Sequence, residues 1–200
     1  MKSLIYYVAA SLDGFIAHPD GSFAGFPWDE AYGAELMTRF PETFPAPFRS
    51  ATASAAENQL FDTVLMGRKT YEVGSTAGLT SPYPTLRQCV VSRSLSQRPD
   101  PAVEVIADRI VEAVRALKAG TGKSIWLCGG GELASTLHEA GLIDELIIKL
   151  NPVLFGAGIP LFARETPPVR LSLLDHTAYD SGHMLLHYAV VRAEASPAPS

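Results

Sequence analysis

Twice along this chain a short apolar run ends on glycine and passes directly into residues of helical composition. The first unit is Thr63–Met66, Gly67 and Arg68–Val73. The second is Ser124–Cys128, the triplet Gly129-Gly130-Gly131, and Glu132–Ala140, which stops at Gly141. A short apolar run of this kind is a strand buried on both faces, and a strand turning straight into a helix returns to its sheet by a crossover. Ser3–Ala10, Gln88–Ser92 and Leu142–Leu150 supply further strands. Asp108 is placed to cap a helix on which Ile110, Val111, Val114 and Leu117 share a face, closed by Gly120. Asp29–Phe40 is weakly helical, Ala51–Leu60 is alanine-rich and suits a short helix, and Ile16–Phe26 is glycine- and proline-punctuated loop. Val169–Thr177 and His183–Val191 alternate in apolar character around Asp180-Ser181-Gly182, which predicts a closing hairpin. The pattern is that of an α/β fold: a mostly parallel central sheet, helices on both faces, and a C-terminal antiparallel hairpin. In such sheets ligands bind beyond the carboxyl ends of the strands.

Composition narrows the functional classes. With 200 residues, 47% hydrophobic and 18% charged, the chain builds one sizeable core, and residues 1–192 are expected to form one domain, with 193–200 a disordered tail. The net charge of −5 is dispersed, and no basic stripe of the kind nucleic acid requires is visible. No apolar stretch reaches the roughly 18 residues of a membrane span, and no basic, cleavable leader precedes the first strand. Cys89 and Cys128 lie inside apolar runs as core thiols, and no His/Cys cluster has metal-ligand spacing. A reduced, cytoplasmic protein without a metal is expected.

The two junctions carry the chemistry. At Gly67 the backbone can turn closely, and the following helix starts with free N–H groups beside Arg68, Lys69 and the Thr70 hydroxyl, which suits a phosphate; an ordinary strand–turn–helix with surface cations is the plain alternative. Three consecutive glycines, each adding roughly 0.5–1 kcal/mol of chain entropy to the cost of folding, suggest backbone that must approach a ligand such as a pyrophosphate, although a tight turn alone accounts for them equally well. Ser92 and Arg93, closing another strand, suit a phosphate monoester. Asp13 is a candidate proton donor or a turn residue, while Phe26 and Trp28, with Phe23, are candidate walls for a flat ring or simple core plugs.

Taken in order, five segments resemble the dihydrofolate reductase-like superfamily, and within it the reductase domain of riboflavin biosynthesis. They are residues 9–17 (AASLDGFIA), 66–71 (MGRKTY), 91–94 (VSRS), 128–133 (CGGGEL) with 141–146 (GLIDEL), and 152–156 (PVLFG) with 158–162 (GIPLF). The resemblance implies a three-layer fold with NADPH across the carboxyl edge of the sheet. It places the Ala9 and Ala10 backbone near the nicotinamide, Gly67–Thr70 and Gly129–Leu133, Glu132 included, at the phosphates, and Arg68, Ser92 and Arg93 near the adenosine end. It also implies a cis peptide between the first two glycines of the triplet, and a homodimer formed through Leu142–Phe155 and Val169–Val191.

The substrate half departs from the pattern. At the offset from Trp28 where dihydrofolate reductases carry an acid stands Gly33, and Cys128 precedes the turn where riboflavin-pathway reductases carry glutamate. Tyr7 or Val8 stands where those enzymes carry lysine, and no deaminase signature is present. The expectation is therefore an NADPH-dependent reductase of a small heterocycle, with a non-catalytic NADP(H)-binding module as the rival.

Overall fold

Along the first strand, residues of one parity enter one core cluster and those of the other parity enter a second, so the sheet is buried on both sides. Tyr6, Val8 and Ala10 face one cluster; Ile5 and Tyr7 face the other. The computed structural model describes residues 1–49, 57–76, 78–95 and 100–192. The strands are β1 Leu4–Ser11, β2 Phe15–Ala17, β3 Phe61–Gly67, β4 Arg87–Val91, β5 Val103–Ile106, β6 Ser124–Gly129, β7 Glu145–Asn151, β8 Ile159–Pro160, β9 Arg170–Ala178 and β10 Met184–Val191. Four α-helices accompany them among the described residues: α1 Glu30–Arg39, α2 Arg68–Thr76, α3 Ile110–Ala119 and α4 Gly131–Glu139.

Eight strands form one sheet in the order β5-β4-β3-β6-β1-β7-β10-β9. Every pairing from β5 to β7 is parallel, and β10 runs antiparallel to both β7 and β9. A second, two-stranded sheet joins β2 to β8. Tyr32 and Leu36 of α1, its C-cap Phe40 and α2 Tyr71 pack on one face with Val64, Met66 and Trp126. On the other face Val114 of α3 and Leu133, Ala134 and Leu137 of α4 cover Leu65, Ile125 and Leu127. The expected three-layer α/β architecture, parallel sheet and closing hairpin are all present.

Local chemistry explains the elements. Asp29 caps α1, its carboxylate accepting from the Tyr32 N–H at 2.8 Å. The hairpin turns where predicted, with Gly182 at φ 84 and its N–H bonded to the Tyr179 carbonyl at 2.8 Å. Two expectations need correction, and one strand was not anticipated. Arg109, not Asp108, occupies the N-cap of α3, in the left-handed region at φ 46 and without a side-chain cap bond. The loop expected at Ile16–Phe26 contains most of β2, because residues 15–17 find a partner far along the chain at Ile159–Pro160. β5 carried no strong signal because only Val103 of its four residues is fully buried. Most of the helix expected at Ala51–Leu60 lies outside the described residues, where 57–60 are not helical, and the expected tail from 193 lies outside them too.

Candidate active site

β3 and β6 are neighbours, so their carboxyl ends bring the two glycine junctions together. Met66 stands opposite Gly129 in the register. A β-carbon on Gly67 would lie 3.5 Å from both the Gly129 carbonyl oxygen and the Gly130 nitrogen, so the two backbones abut. The Thr70 Oγ1, from the first turn of α2, stands 3.7 Å from the positions β-carbons would take on Gly129 and Gly130. The Gly129–Gly130 peptide is cis, as the resemblance implies, and Gly129 sits at φ 132, a conformation that favours glycine. Gly130 is the N-cap of α4 and offers no side chain to it, which leaves the first-turn N–H groups of Gly131, Glu132 and Leu133 aimed along the sheet's carboxyl edge. Donors, helix dipole and hydroxyl are thus neighbours at one edge of the sheet.

The remaining predicted cofactor residues flank it. Ala9 and Ala10 end β1 beside β6, and the Ala10 carbonyl accepts from Asn151 Nδ2 at 3.2 Å. Arg68 opens α2 and its Nη1 bonds Glu72 Oε1 at 2.7 Å across one helical turn, while Lys69 is exposed beside it. Gly67 and Val91 are in register, so Ser92 and Arg93 follow the strand end next to Arg68. Arg93 is exposed, but Ser92 is buried and its Oγ accepts from the Ser94 and Leu95 N–H groups at 3.2 and 2.9 Å, closing its own turn. Glu132 extends into solvent and pairs with Arg164 at 3.2 Å, and Leu133 is buried in the core, so these two meet the patch through backbone alone.

The candidate substrate residues behave differently from the cofactor set. The Asp13 carboxylate accepts from Ser11 Oγ at 2.5 Å, from the Phe155 N–H at 3.1 Å and from the Gly156 N–H at 2.7 Å. The Ser11 hydroxyl foremost, and then those backbone donors, hold it below its ordinary carboxylate range. Asp13 is thus a latch between the β1 turn and residues 155–156, and an ionised latch does not deliver protons at neutral pH. Phe26 packs on Phe155 with ring centroids 4.8 Å apart, and Phe155 in turn stacks on His18 at 4.1 Å, so Phe26 plugs its own loop. Trp28 lays its indole over Gly33, where any β-carbon would collide with the ring. An acid at position 33 is sterically excluded while Trp28 stands there.

Sequence reasoning overlooked Lys149. It is a cation within the apolar run Leu146–Leu150, and that interruption was a visible signal. Its Nζ lies 4.3 Å from the Tyr7 ring centroid, and burial pushes its pKa down to about 8. Burial likewise raises the Cys128 thiol to about 12 and the Cys89 thiol to about 11, so neither is a thiolate at neutral pH. No helix among the described residues is long and apolar enough to cross a membrane.

Comparison with known proteins agrees with this geometry. The chain is 30% identical over 187 residues to YwjB of Bacillus subtilis (strain 168), covering 94% of this chain and 97% of that one. A protein assigned to riboflavin biosynthesis from Shewanella sp. PV-4 superposes with a TM-score of 0.70 at 22% identity, over 95% of this chain and 99% of that one. Dihydrofolate reductase from Enterococcus faecalis superposes with a TM-score of 0.63 at 17% identity, over 94% of this chain and 96% of the enzyme. These likenesses establish a dihydrofolate reductase-like fold. The model of the RibD C-terminal domain matches residues 2–185, so the chain belongs to the RibD C-terminal domain family.

Proposed function

We propose that this protein is an NADPH-dependent reductase of a small planar substrate. The observation that carries the reading is the meeting of two glycine junctions on neighbouring strands under the Thr70 hydroxyl, with the first turn of α4 uncapped beside them. A β-carbon on Gly130 would stand 3.7 Å from the Thr70 hydroxyl, and backbone donors at a helix N-terminus suit a pyrophosphate. The Enterococcus faecalis neighbour was solved with NADP(H), which supports the same choice of cofactor. NADPH, when bound, supplies hydride.

The chain's own residues would do the rest. Gly67–Thr70 and the N–H groups of Gly131–Leu133 hold the phosphates. Arg68 and Arg93, at adjacent strand ends, meet the 2′-phosphate. Releasing the exposed Arg68–Glu72 pair costs only about 0.3–0.5 kcal/mol, far less than a charge-assisted bond to phosphate returns. The Ala9 and Ala10 backbone would hold the nicotinamide against a substrate lying on the α1 face. Both free thiols among the described residues fit a reducing, cytoplasmic setting.

Titrating NADPH and NADH into the parent and into an Arg68→Ala, Arg93→Ala double variant tests the cofactor reading. The parent should bind NADPH about tenfold or more tightly than NADH, and the variant should lose that margin. NADPH oxidation across pterins, aminopyrimidines, quinones and carbonyls tests catalysis. Dihydrofolate should turn over poorly, because Gly33 offers its ring no carboxylate. Tight NADPH binding with no oxidation across the panel would favour a ligand-sensing module instead.

A further inference from the structure

β7 carries one cation among apolar neighbours. Lys149 stands in register with Ala9 on β1 and Leu185 on β10, two residues beyond Ile147, which packs in the core cluster beneath α1. Its side chain therefore leaves the sheet on the α1 face, near the carboxyl end of β1. The buried lysines elsewhere are neutralised: Lys2 pairs with Asp62 and Lys118 with Asp144. Lys149 has the Tyr7 ring beneath its ammonium and, among the described residues, no carboxylate partner. An ammonium drawn out of water without a counter-charge is unfavourable unless something else brings that charge.

Nothing nearby brings it. Gly33 is closed off by Trp28, Asp13 is tied to Ser11, Phe155 and Gly156, and Glu35 pairs with Arg39. The charge presented to a ligand on this side is thus positive, the reverse of what a protonated ring would need. We propose that Lys149 selects the substrate by receiving an anionic oxygen, a carboxylate or ring oxyanion, of a flat small molecule lodged between α1 and the carboxyl ends of β1 and β7. What happens to that molecule next rests on the reductase reading; its recognition does not.

Among the described residues, no titratable group packed around Lys149 places a carboxylate against its ammonium. Tyr7 of β1, Cys128 of β6, Tyr32 of α1 and Tyr83, which bonds Cys128, are all pushed up by burial and remain neutral there. Leu185 faces it from β10. His183 stacks on Tyr32 and is fastened to Ser181 and to the Pro27 carbonyl, while Glu35, Arg39 and Glu42 lie farther along α1 and the turn after it, Glu35 paired with Arg39 and Glu42 bound to backbone N–H groups. Desolvation lowers Lys149 to about 8, so the cation is present below that pH and lost above it.

Benzoate and benzamide differ in charge but hardly in shape, and their binding to the cofactor-free protein can be compared by calorimetry. Benzoate should bind about tenfold more tightly at about pH 7, with the two converging well above pH 8. Lys149→Met should erase the difference, and Lys149→Arg should keep it. Equal affinities in the parent, binding of neither, or a preference that survives in Lys149→Met overturns the proposal; if the methionine variant does not fold, the pH series on the parent decides. A parent that prefers benzoate yet takes up no NADPH would overturn the reductase reading alone. One that binds NADPH without preferring benzoate would overturn this proposal alone.

Discussion

Three successive glycines, from the last residue of β6 to the first of α4, answer to three different requirements. Gly129 is needed for its backbone angle, φ 132. Gly131 is needed for packing, since a β-carbon there would stand 2.5 Å from the Pro160 carbonyl oxygen and 3.2 Å from the Ala163 methyl. Gly130 meets neither demand: its φ is −94 and a β-carbon would touch only Thr70 Oγ1, at 3.7 Å. On the cofactor reading proposed above, its bareness is left for a ligand. Gly130→Val should accordingly abolish NADPH binding in a fluorescence titration while the melting temperature falls by no more than a few degrees. Gly131→Ala should do the opposite kind of harm, destabilising the fold by about 1–3 kcal/mol through overpacking, measurable by urea denaturation. The close approach of this turn to something was legible in the triplet itself. Which glycine serves the fold was not, because Pro160 and Ala163 reach it from β8 and the turn after it, distant in sequence.

Elements were legible where both of their determinants are local. The β3 and β6 units and the Gly182 turn each carry pattern and punctuation within a few residues. β2 and β8 were not, because each is a short strand held by the other. Glu42 belongs to the same class. It is fully buried, and its carboxylate accepts from the backbone N–H groups of Gln59, Leu60 and Phe61 at 3.1, 2.7 and 2.7 Å, fixing the entry into β3. Nothing around Pro41-Glu42-Thr43 in the sequence marks it. Glu42→Ala removes an acceptor from three donors at once and should cost about 3 kcal/mol, read as a lower denaturant midpoint with unchanged slope. Site residues divide likewise: the cofactor cradle is built from turns whose chemistry is local, whereas Lys149 gains its meaning from Tyr7, Cys128 and the covered Gly33.

At the scale of the molecule the sheet ends unevenly. All but one residue of β9 are exposed, and Leu171, Leu173 and Leu174 keep 43%, 50% and 54% of their surface, beside Val169 at 39% and Val191 at 44%. An edge strand this apolar is a pairing surface or an aggregation hazard. The register slips between His187 and Tyr188, leaving Leu174 as the extra residue of a bulge. We propose that a second copy covers this end about a two-fold axis, as the apolar content of Val169–Val191 suggests from sequence. Sedimentation at micromolar concentration should show a dimer, and Leu171→Asp with Leu173→Asp should yield a folded monomer; a monomeric parent would rule the dimer out.

The two tryptophans sit in opposite surroundings, Trp28 with 65% of its surface exposed and Trp126 with 4%, its indole N–H bonded to the Tyr7 carbonyl at 2.8 Å. Emission from the first should be red-shifted and readily quenched by iodide, and from the second blue-shifted and protected. Because Trp28 roofs Gly33 beside the proposed ring pocket, the protein carries its own optical gauge of occupancy. A molecule lodged beside that indole should shield it from iodide, and reduced nicotinamide nearby should drain its excitation by energy transfer. In a Trp28→Phe variant the iodide-sensitive component should vanish, leaving the steady signal of the buried indole as an internal standard.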